Sequence, residues 1–211
     1  MEIVVSYYNE DLEWLDKSPW PVVLVEHEGS KPWILKNVKE RYVIPNHGKE
    51  ATAYLKYIIE RYYTLPDYVA FIHGHENSWH QKGDRPLLNL IRDANLSKYN
   101  YIPLNNHWVT QLHQVDLDLL TNRWSEYMPM DLPQNYQCHV CAQFIVSRDA
   151  IQSTTKERYI ELYDMVMRGN SMKDAVIMEH IWHWLFGQPL QMEPYSDYFT
   201  PPIKEYVFMH P

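Results

Sequence analysis

The sequence predicts an α/β fold with a mixed, mostly parallel central sheet flanked by helices. Apolar, β-branched runs at residues 2–8 and 68–73 are typical of buried strands. Between them, residues 48–63 carry apolar side chains at the i, i+3, i+4, i+7 spacing of an amphipathic helix. A strand, a helix and a strand in succession favour parallel pairing, with ligands bound at the carboxyl ends of the strands.

The first half of the chain follows this pattern closely. Residues 22–25 and 33–35 are predicted as two short strands before the helix. The helix should end at Leu65-Pro66-Asp67, because proline cannot continue it, and the strand at 68–73 follows at once.

The second half is less regular. We expect, in order, a part-helical segment at 108–127, a loop at 128–133, a strand at 138–146 and a helix at 147–168. Gly169-Asn170 should end that helix, and Ser171 with Asp174 indicates a capping box for another helix. The tail from Gln188 is rich in proline and aromatic residues, a composition suited to wrapping over a site or a sheet edge.

Length and composition narrow the possible functions. The 211 residues and 45% hydrophobic content fit a single domain, although the apolar ending at 209–211 would also suit one module of a longer protein. A net charge of −8 argues against nucleic acid as a partner. No apolar run approaches the roughly 18 residues of a membrane span, and the acidic N-terminus does not resemble a signal peptide. We therefore expect a cytoplasmic protein.

Neither the cysteines nor the aromatic residues specify a site by themselves. Cys138 and Cys141 lack the second pair that a structural zinc site needs, so we interpret them as reduced core thiols. The 17 tyrosines and 8 tryptophans suit stacking on sugars, and they suit core packing at least as well.

The clearest candidate site is the sequence His73-Gly74-His75-Glu76 at the end of the 68–73 strand, with His80 four residues further on. Imidazole and carboxylate groups at a strand tip can hold a divalent metal ion. The alternative for His73 is a core histidine bonded to a backbone carbonyl.

Two further groups have both a functional and a purely structural interpretation. Asn46, Gly48 and Lys49 precede a helix, so they predict an anion-binding N-terminus or a plain capping turn. Glu179 precedes an aromatic helical run and is a candidate base or a surface glutamate, while His183 lies one helical turn beyond it.

Several motifs in order resemble the GT-A family of nucleotide-sugar glycosyltransferases. These are the opening Ile3-Val-Val-Ser-Tyr-Tyr-Asn-Glu-Asp-Leu-Glu-Trp-Leu15, Pro45-Asn46-x-Gly48-x-Glu50-Ala51, the His73-x-His75 tip, Gln143-Phe-Ile-Val-Ser-Arg148 and Glu179-x-x-Trp182-His183-x-x-Phe186. Over almost the whole chain, the order is similar to a formerly uncharacterised glycosyltransferase-like family. It resembles more closely the N-terminal glycosyltransferase domain of the chlorella-virus enzyme that builds capsid-protein glycans. The resemblance implies a GT-A-like (Rossmann-like) sheet.

The resemblance also implies roles for particular residues. The loop after the first strand would bind the nucleotide through Ser6, Tyr7, Tyr8 and Asn9, together with Asn46, Gly48 and Lys49. His73 and His75 stand where the family has Asp-x-Asp, and His210 matches a further metal ligand by position. Since imidazole suits Mn²⁺ better than Mg²⁺, we expect manganese as the cofactor. The donor sugar would be contacted by Glu76, His80, Asp84 and Arg85, and catalysis would fall to Glu179 and His183.

The resulting hypothesis is a metal-dependent glycosyltransferase. It would move a hexose or deoxyhexose from UDP-glucose or UDP-rhamnose to a glycan acceptor in viral capsid glycan synthesis. Because no dedicated nucleophile is evident, a retaining front-face displacement is favoured, with inversion by Glu179 as base left open. The alternatives are a metal-dependent hydrolase that uses the His-x-His site, and a carbohydrate-binding module without catalysis.

Overall fold

The computed structural model describes residues 1–77, 85–105, 107–109, 112–134, 136–140, 142–193, 197–202 and 207–209. In these ranges, the strands are β1 (Glu2–Tyr7), β2 (Val22–His27), β3 (Val38–Ile44), β4 (Tyr68–His73), β5 (Tyr101–Pro103), β6 (His107–Val109), β7 (Cys138–His139), β8 (Phe144–Ser147) and β9 (Val207–Met209).

The helices follow the strands in alternation through most of the chain. They are a 3₁₀ helix (Glu13–Lys17), α1 (Lys49–Arg61), α2 (Leu87–Asp93), α3 (Gln114–Tyr127), α4 (Arg148–Gln152), α5 (Lys156–Arg168) and α6 (Ser171–Leu185). None of the helices in the described ranges is long and apolar enough to cross a membrane.

Six strands form the central sheet in the order β3-β2-β1-β4-β8-β5. The first four are parallel to one another, whereas β8 runs antiparallel to both β4 and β5. A smaller sheet has the order β7-β6-β9. The chain proceeds outward from β1 to β3 and then returns to β4 on the other side of β1. This reversal creates a switch point between β1 and β4, where open α/β sheets bind ligands.

Successive residues of β1 enter different core layers, because side chains alternate across a strand. Val4 packs into the layer under α1, α5 and α6, while Ile3 and Val5 face the layer that contains Leu12, Trp14 and Tyr198. The fold prediction is therefore confirmed as a mixed α/β architecture with a mostly parallel sheet flanked by helices.

Most aromatic rings of the first layer pack on one another. Tyr54, Phe71 and Phe144 have ring centroids 4.9–5.9 Å apart, and Trp182 stacks on Phe186 at 5.7 Å. The aromatic surplus is thus used largely in the core, which was the more favoured of the two interpretations.

Two strand predictions were wrong in their bounds. Residues 33–35 form no strand, and β3 instead spans Val38–Ile44. Its exposed and partly buried residues alternate at the sheet edge, so polar side chains hide the strand pattern. The predicted strand at 138–146 is two strands, β7 and β8, which belong to different sheets.

The predicted helix at 147–168 is also two helices, each of which begins at its own side-chain cap. The Ser147 side chain accepts a hydrogen bond from Ala150 N–H, and the Thr155 side chain caps α5 through Arg158 N–H. The cap of α6 is Asn170 rather than Ser171, since the Asn170 side chain accepts from Lys173 N–H. Asp174 is fully buried and pairs with Arg123 of α3 instead of capping.

Candidate functional site

A cleft of about 650 Å³ opens at the carboxyl ends of β1, β2 and β4, where the strand order reverses. The start of α1 and the first two turns of α6 close its sides. Its walls carry polar and ionisable groups with few apolar ones; they are Ser6, Tyr8, Glu10, His27, Asn46, Lys49, Glu50, His73, His75, Ser171, Met172, Ala175, Val176 and Glu179.

A buried hydrogen-bonded pair lies at the ends of β1 and β2. Ser6 Oγ is 3.1 Å from His27 Nε2, and His27 Nδ1 is 3.4 Å from the carbonyl oxygen of Pro45. Because a carbonyl only accepts, Nδ1 carries the proton and Nε2 accepts from the Ser6 hydroxyl. Burial lowers the pKa of His27, so this imidazole is held neutral.

The turn after β1 brings Glu10 to the tip of β4. Glu10 Oε2 accepts a hydrogen bond from Tyr8 N–H at 2.6 Å, and Oε1 lies 3.9 Å from Nε2 of the exposed His75. Gly74 makes this approach possible, because a Cβ there would lie 2.8 Å from Glu10 Cβ and 2.9 Å from Oε2. The indole N–H of Trp14 donates to the Gly74 carbonyl at 3.2 Å and holds the tip in place.

His73 ends β4 one position before that glycine. Its backbone N–H donates to Gln143 Oε1 at 3.2 Å, which ties the tip of β4 to the chain entering β8. Burial, and to a smaller extent the neighbouring His75, lowers the pKa of His73 to about 4. The ring is therefore neutral at pH 7 and retains an imidazole lone pair, the form that binds metals.

Two carboxyl groups face the cleft from different helices. Glu50 lies in the first turn of α1 and is 8% exposed, and burial raises its pKa. The half-buried Glu179 of α6 has a pKa raised to about 8, chiefly by burial and then by the negative charge of Glu50. Lys49 opposes both shifts. At pH 7, Glu179 therefore keeps its proton in most molecules.

The family model for DUF3431, described as a protein of unknown function, matches residues 3–198. The chain belongs to this family. No curated protein matches the chain significantly. The DUF3431 match spans every residue that lines the cleft.

Seven of the residues proposed from the sequence line the cleft of this DUF3431 member. They are Ser6, Tyr8, Asn46, Lys49, His73, His75 and Glu179. For six of them the signals were the ends of the first and fourth strands and the start of the first long helix, whereas Glu179 was proposed from its place before the aromatic run of α6. Their chemical roles stay predictions.

Other proposed nucleotide-binding residues serve the scaffold around the cleft. Tyr7 is fully buried and donates to the Lys31 carbonyl at 2.6 Å, and Asn9 Oδ1 accepts from Lys31 N–H at 2.6 Å. Gly48 adopts φ +74° as the N-cap of α1, and its N–H donates to Ser171 Oγ at 2.7 Å. That N–H is therefore engaged within the fold, and the acidic Glu50 occupies the first turn of the same helix.

The remaining proposed residues lie elsewhere or outside the described residues. Glu76 lines a neighbouring cavity of about 490 Å³ with Asp11 and Trp14. Arg85 Nη1 is 3.9 Å from Asp93 Oδ2, away from the cleft. His80, Asp84 and His210 lie outside the described residues.

His183 is part of the core rather than of the cleft wall. It is 1% exposed, and its Nε2 donates to the Leu190 carbonyl at 3.1 Å. Burial lowers its pKa to about 4. Although one helical turn separates it from Glu179, the adjoining face of α6 is buried against aromatic rings such as Tyr136. We therefore leave His183 out of the proposed site.

Three ionisable residues that line the cleft were not proposed from the sequence as site residues: Glu10, His27 and Glu50. Glu10 and Glu50 stand inside the quoted motifs and could have been read from them. His27 follows the predicted 22–25 strand, so its place at the carboxyl end of a strand could also have indicated it.

The residues around the β4 tip partly fit a metal ion. In the part of the chain that the structure describes, no three His, Cys, Asp or Glu side chains are grouped to hold one. Two ligands of one ion at about 2.1 Å each lie at most about 4.2 Å apart. The 3.9 Å between His75 Nε2 and Glu10 Oε1 meets that limit. The pair therefore fits an ion that takes its other ligands from a bound substrate or water.

Proposed function

We propose that the chain is a metal-assisted glycosyltransferase that moves a hexose or deoxyhexose from a UDP-sugar to a glycan acceptor. The observation that carries the proposal is the cleft at the β1–β4 switch point. It combines the Glu10–His75 pair, one lysine ammonium and two carboxyl groups of raised pKa. These are the groups needed to bind a diphosphate and to accept a proton.

Glu10 and His75 are the residues that would hold the metal ion. When bound, the ion would neutralise the diphosphate and act as a Lewis acid on the leaving group. A mixed oxygen and imidazole donor set favours Mn²⁺ over Mg²⁺, which prefers oxygen ligands alone. Because the substrate's phosphates would supply further ligands to the ion, two protein ligands would be enough in place of three.

Lys49 and Tyr8 suit the two ends of a nucleotide. Lys49 is the one lysine or arginine among the described residues that line the cleft, so its ammonium is the natural contact for a phosphate oxygen. Tyr8 is 45% exposed at the end of β1 and offers an aromatic face on which a uracil ring could stack.

Glu179 is the group that we assign to proton transfer. In an inverting reaction the acceptor oxygen attacks the anomeric carbon, its proton passes to the Glu179 carboxylate, and UDP leaves with the electron pair of the broken C–O bond. A base whose pKa lies near the working pH is effective in this role. This gives inversion specific support, whereas retention, in which the leaving phosphate deprotonates the acceptor, needs no protein base.

Synthesis of a viral capsid glycan and a cytoplasmic location remain parts of the proposal that rest on the sequence resemblance. A zinc hydrolase usually holds its ion with three protein ligands, and the described residues provide no such group. A carbohydrate-binding module would need neither the donor pair nor the carboxyl groups.

Calorimetric titration of UDP with and without Mn²⁺ tests the proposal. We expect UDP to bind at least tenfold more tightly with the ion, because Lys49 alone cannot balance a diphosphate in this acidic cleft. UDP release from UDP-glucose or UDP-rhamnose, with a glycan acceptor present, should then depend on Mn²⁺. Proton NMR of the product anomer would distinguish inversion from retention. UDP binding that is indifferent to Mn²⁺ would contradict the proposal.

A further inference from the structure

Glu50 is a buried carboxyl group to which neither the sequence nor the proposed reaction assigns a role. Its side chain faces the cleft from the first turn of α1 at 8% exposure. No described residue donates a hydrogen bond to its Oε1 atom. Its own backbone N–H favours the ionised form, but burial outweighs that contact. Burying an ionised carboxylate with an oxygen that lacks a donor is costly, so a protein that keeps one there has a use for its charge or its proton.

The surroundings of Glu50 contain too little positive charge for two ionised carboxylates. Besides the two glutamates, the groups that interact with this pair are Lys49 and the buried Tyr54 of α1, His27 of β2 and Asp116 of α3. His27 is held neutral by burial. Lys49 is the remaining cation, and its side chain extends to the exposed rim of the cleft.

The helices that carry the two glutamates pack directly against each other. Gly48, which caps α1, donates to Ser171 in the first turn of α6 at 2.7 Å, and both flank the same cleft. Two carboxyl groups in one poorly hydrated space titrate as a pair, and the first to ionise raises the proton affinity of the second.

We propose that Glu50 and Glu179 share one proton at neutral pH, and that Glu50 is a positioning residue that sets the pH at which Glu179 ionises. The geometry of the cleft is sufficient to argue that the proton is shared. The claim that this proton matters in turnover rests on the proposed function. In turnover, the proton of the acceptor hydroxyl passes to the ionised Glu179 carboxylate and then to solvent, so the pair returns to its starting state.

Carbon-13 NMR of glutamate side-chain carboxyl groups in the whole chain measures the pair without any substrate. In the wild type, the Glu179 resonance, assigned with Glu179→Gln, should titrate with a midpoint near pH 8. In Glu50→Gln, which keeps the shape and removes the charge, the midpoint should fall by about one pH unit. Glu50→Asp should restore part of the shift, and Lys49→Met should move the midpoint upward.

Glu60→Gln is the matched control, since Glu60 lies on the same helix, is 44% exposed and pairs with Lys56 on the outer face. It should leave the Glu179 midpoint in place. A midpoint that is the same in Glu50→Gln and the wild type would overturn the inference. If Glu50→Gln does not fold, the titrations of Lys49→Met and Glu50→Asp test the inference instead. Glu179 midpoints equal to that of the wild type in both variants would overturn the inference.

The pH profile of UDP release separates this inference from the proposed function. Glu50→Gln should move the ascending acid limb of the profile to lower pH by the same amount as the NMR midpoint. If the NMR midpoint shifts but the pH profile does not, Glu50 and Glu179 share a proton as inferred, but Glu179 is not the base in the proposed reaction.

Discussion

His75 Nε2 and Glu10 Oε1 lie 3.9 Å apart across the tip of β4, although 65 positions separate the two residues in sequence. The other oxygen of Glu10 is fixed by Tyr8 N–H, so the carboxylate cannot turn away freely. The Glu10 carboxylate is therefore held beside His75 before the proposed ion would bind. Pre-oriented ligands cost less entropy to engage than mobile ones.

The first prediction concerns this pair. His75→Ala and Glu10→Gln should each weaken Mn²⁺-dependent UDP binding at least tenfold, or about 1.4 kcal/mol, because each removes a donor from the ion. Calorimetric titration of UDP at fixed Mn²⁺ measures the change. His113→Ala is the control, since His113 is exposed at the start of α3 and does not line the cleft. If both variants bind UDP with wild-type affinity at fixed Mn²⁺, Glu10 and His75 are not the metal ligands.

The second prediction concerns the glycine between the two histidines. A methyl group at Gly74 would meet Glu10 Cβ at 2.8 Å and Oε2 at 2.9 Å, so Gly74→Ala must displace the Glu10 side chain. We expect Mn²⁺-dependent UDP affinity to fall about 10–100-fold, as when a residue that orients a ligand is lost. Circular dichroism should show the fold intact. A variant with lowered melting temperature and normal affinity would show that the glycine serves packing alone.

The strands and helices near the switch point could be predicted because their patterns are local. β1, β4 and α1 consist of apolar runs or an amphipathic period, and their ends brought six of the seven proposed residues to one cleft. Glu179, the seventh, lies within α6. β3 was not predicted because Lys39, Glu40 and Arg41 are charged in succession, so this edge strand lacks both an apolar run and a regular polar–apolar alternation. The break between α4 and α5 depends on the Thr155 cap, which competes with a continuous helical period.

Site residues could be predicted from the sequence where they lie at the end of a strand or at the start of a helix. His183 shows the limit, since helical spacing from Glu179 does not tell which face of α6 is covered. The pairing of Glu10 with His75 depends on the turn after β1 and on the size of Gly74, neither of which periodicity encodes. Glu50 was hidden for a similar reason, because a carboxylate in the first turn of a helix is usually exposed, whereas the fold buries this one.

The third prediction follows from the burial of His183. His183→Ala should lower the unfolding free energy by about 2–4 kcal/mol, because it empties space among aromatic rings and leaves the Leu190 carbonyl without its donor. Urea unfolding followed by circular dichroism measures the loss. Below the unfolding transition, UDP affinity with Mn²⁺ should match that of the wild type. If His183→Ala has normal stability but no longer releases UDP, His183 acts in the reaction and not only in the core.

The last prediction is the pH dependence of stability that Glu179 imposes. Its pKa is about 8 in the folded chain and near the ordinary 4.5 when unfolded. The folded state therefore binds the proton more tightly, so this contribution is complete below pH 4.5 and is lost as the pH rises to 8. Glu179→Gln cannot ionise and should be more stable than the wild type at pH 8, by about 1–3 kcal/mol, while matching it near pH 4.5.

Melting temperatures recorded from pH 4.5 to 9 test this expectation, since 1 kcal/mol shifts the midpoint by about 2–4 °C in a chain of this length. Glu126→Gln, in which an exposed carboxylate paired with Arg123 is neutralised, should gain no stability at pH 8. If Glu179→Gln melts below the wild type at every pH, the carboxyl group is paired in the fold and not merely buried. The expected variant would be stabilised and inactive together, because the buried charge that destabilises the fold is the one assigned to the acceptor's proton.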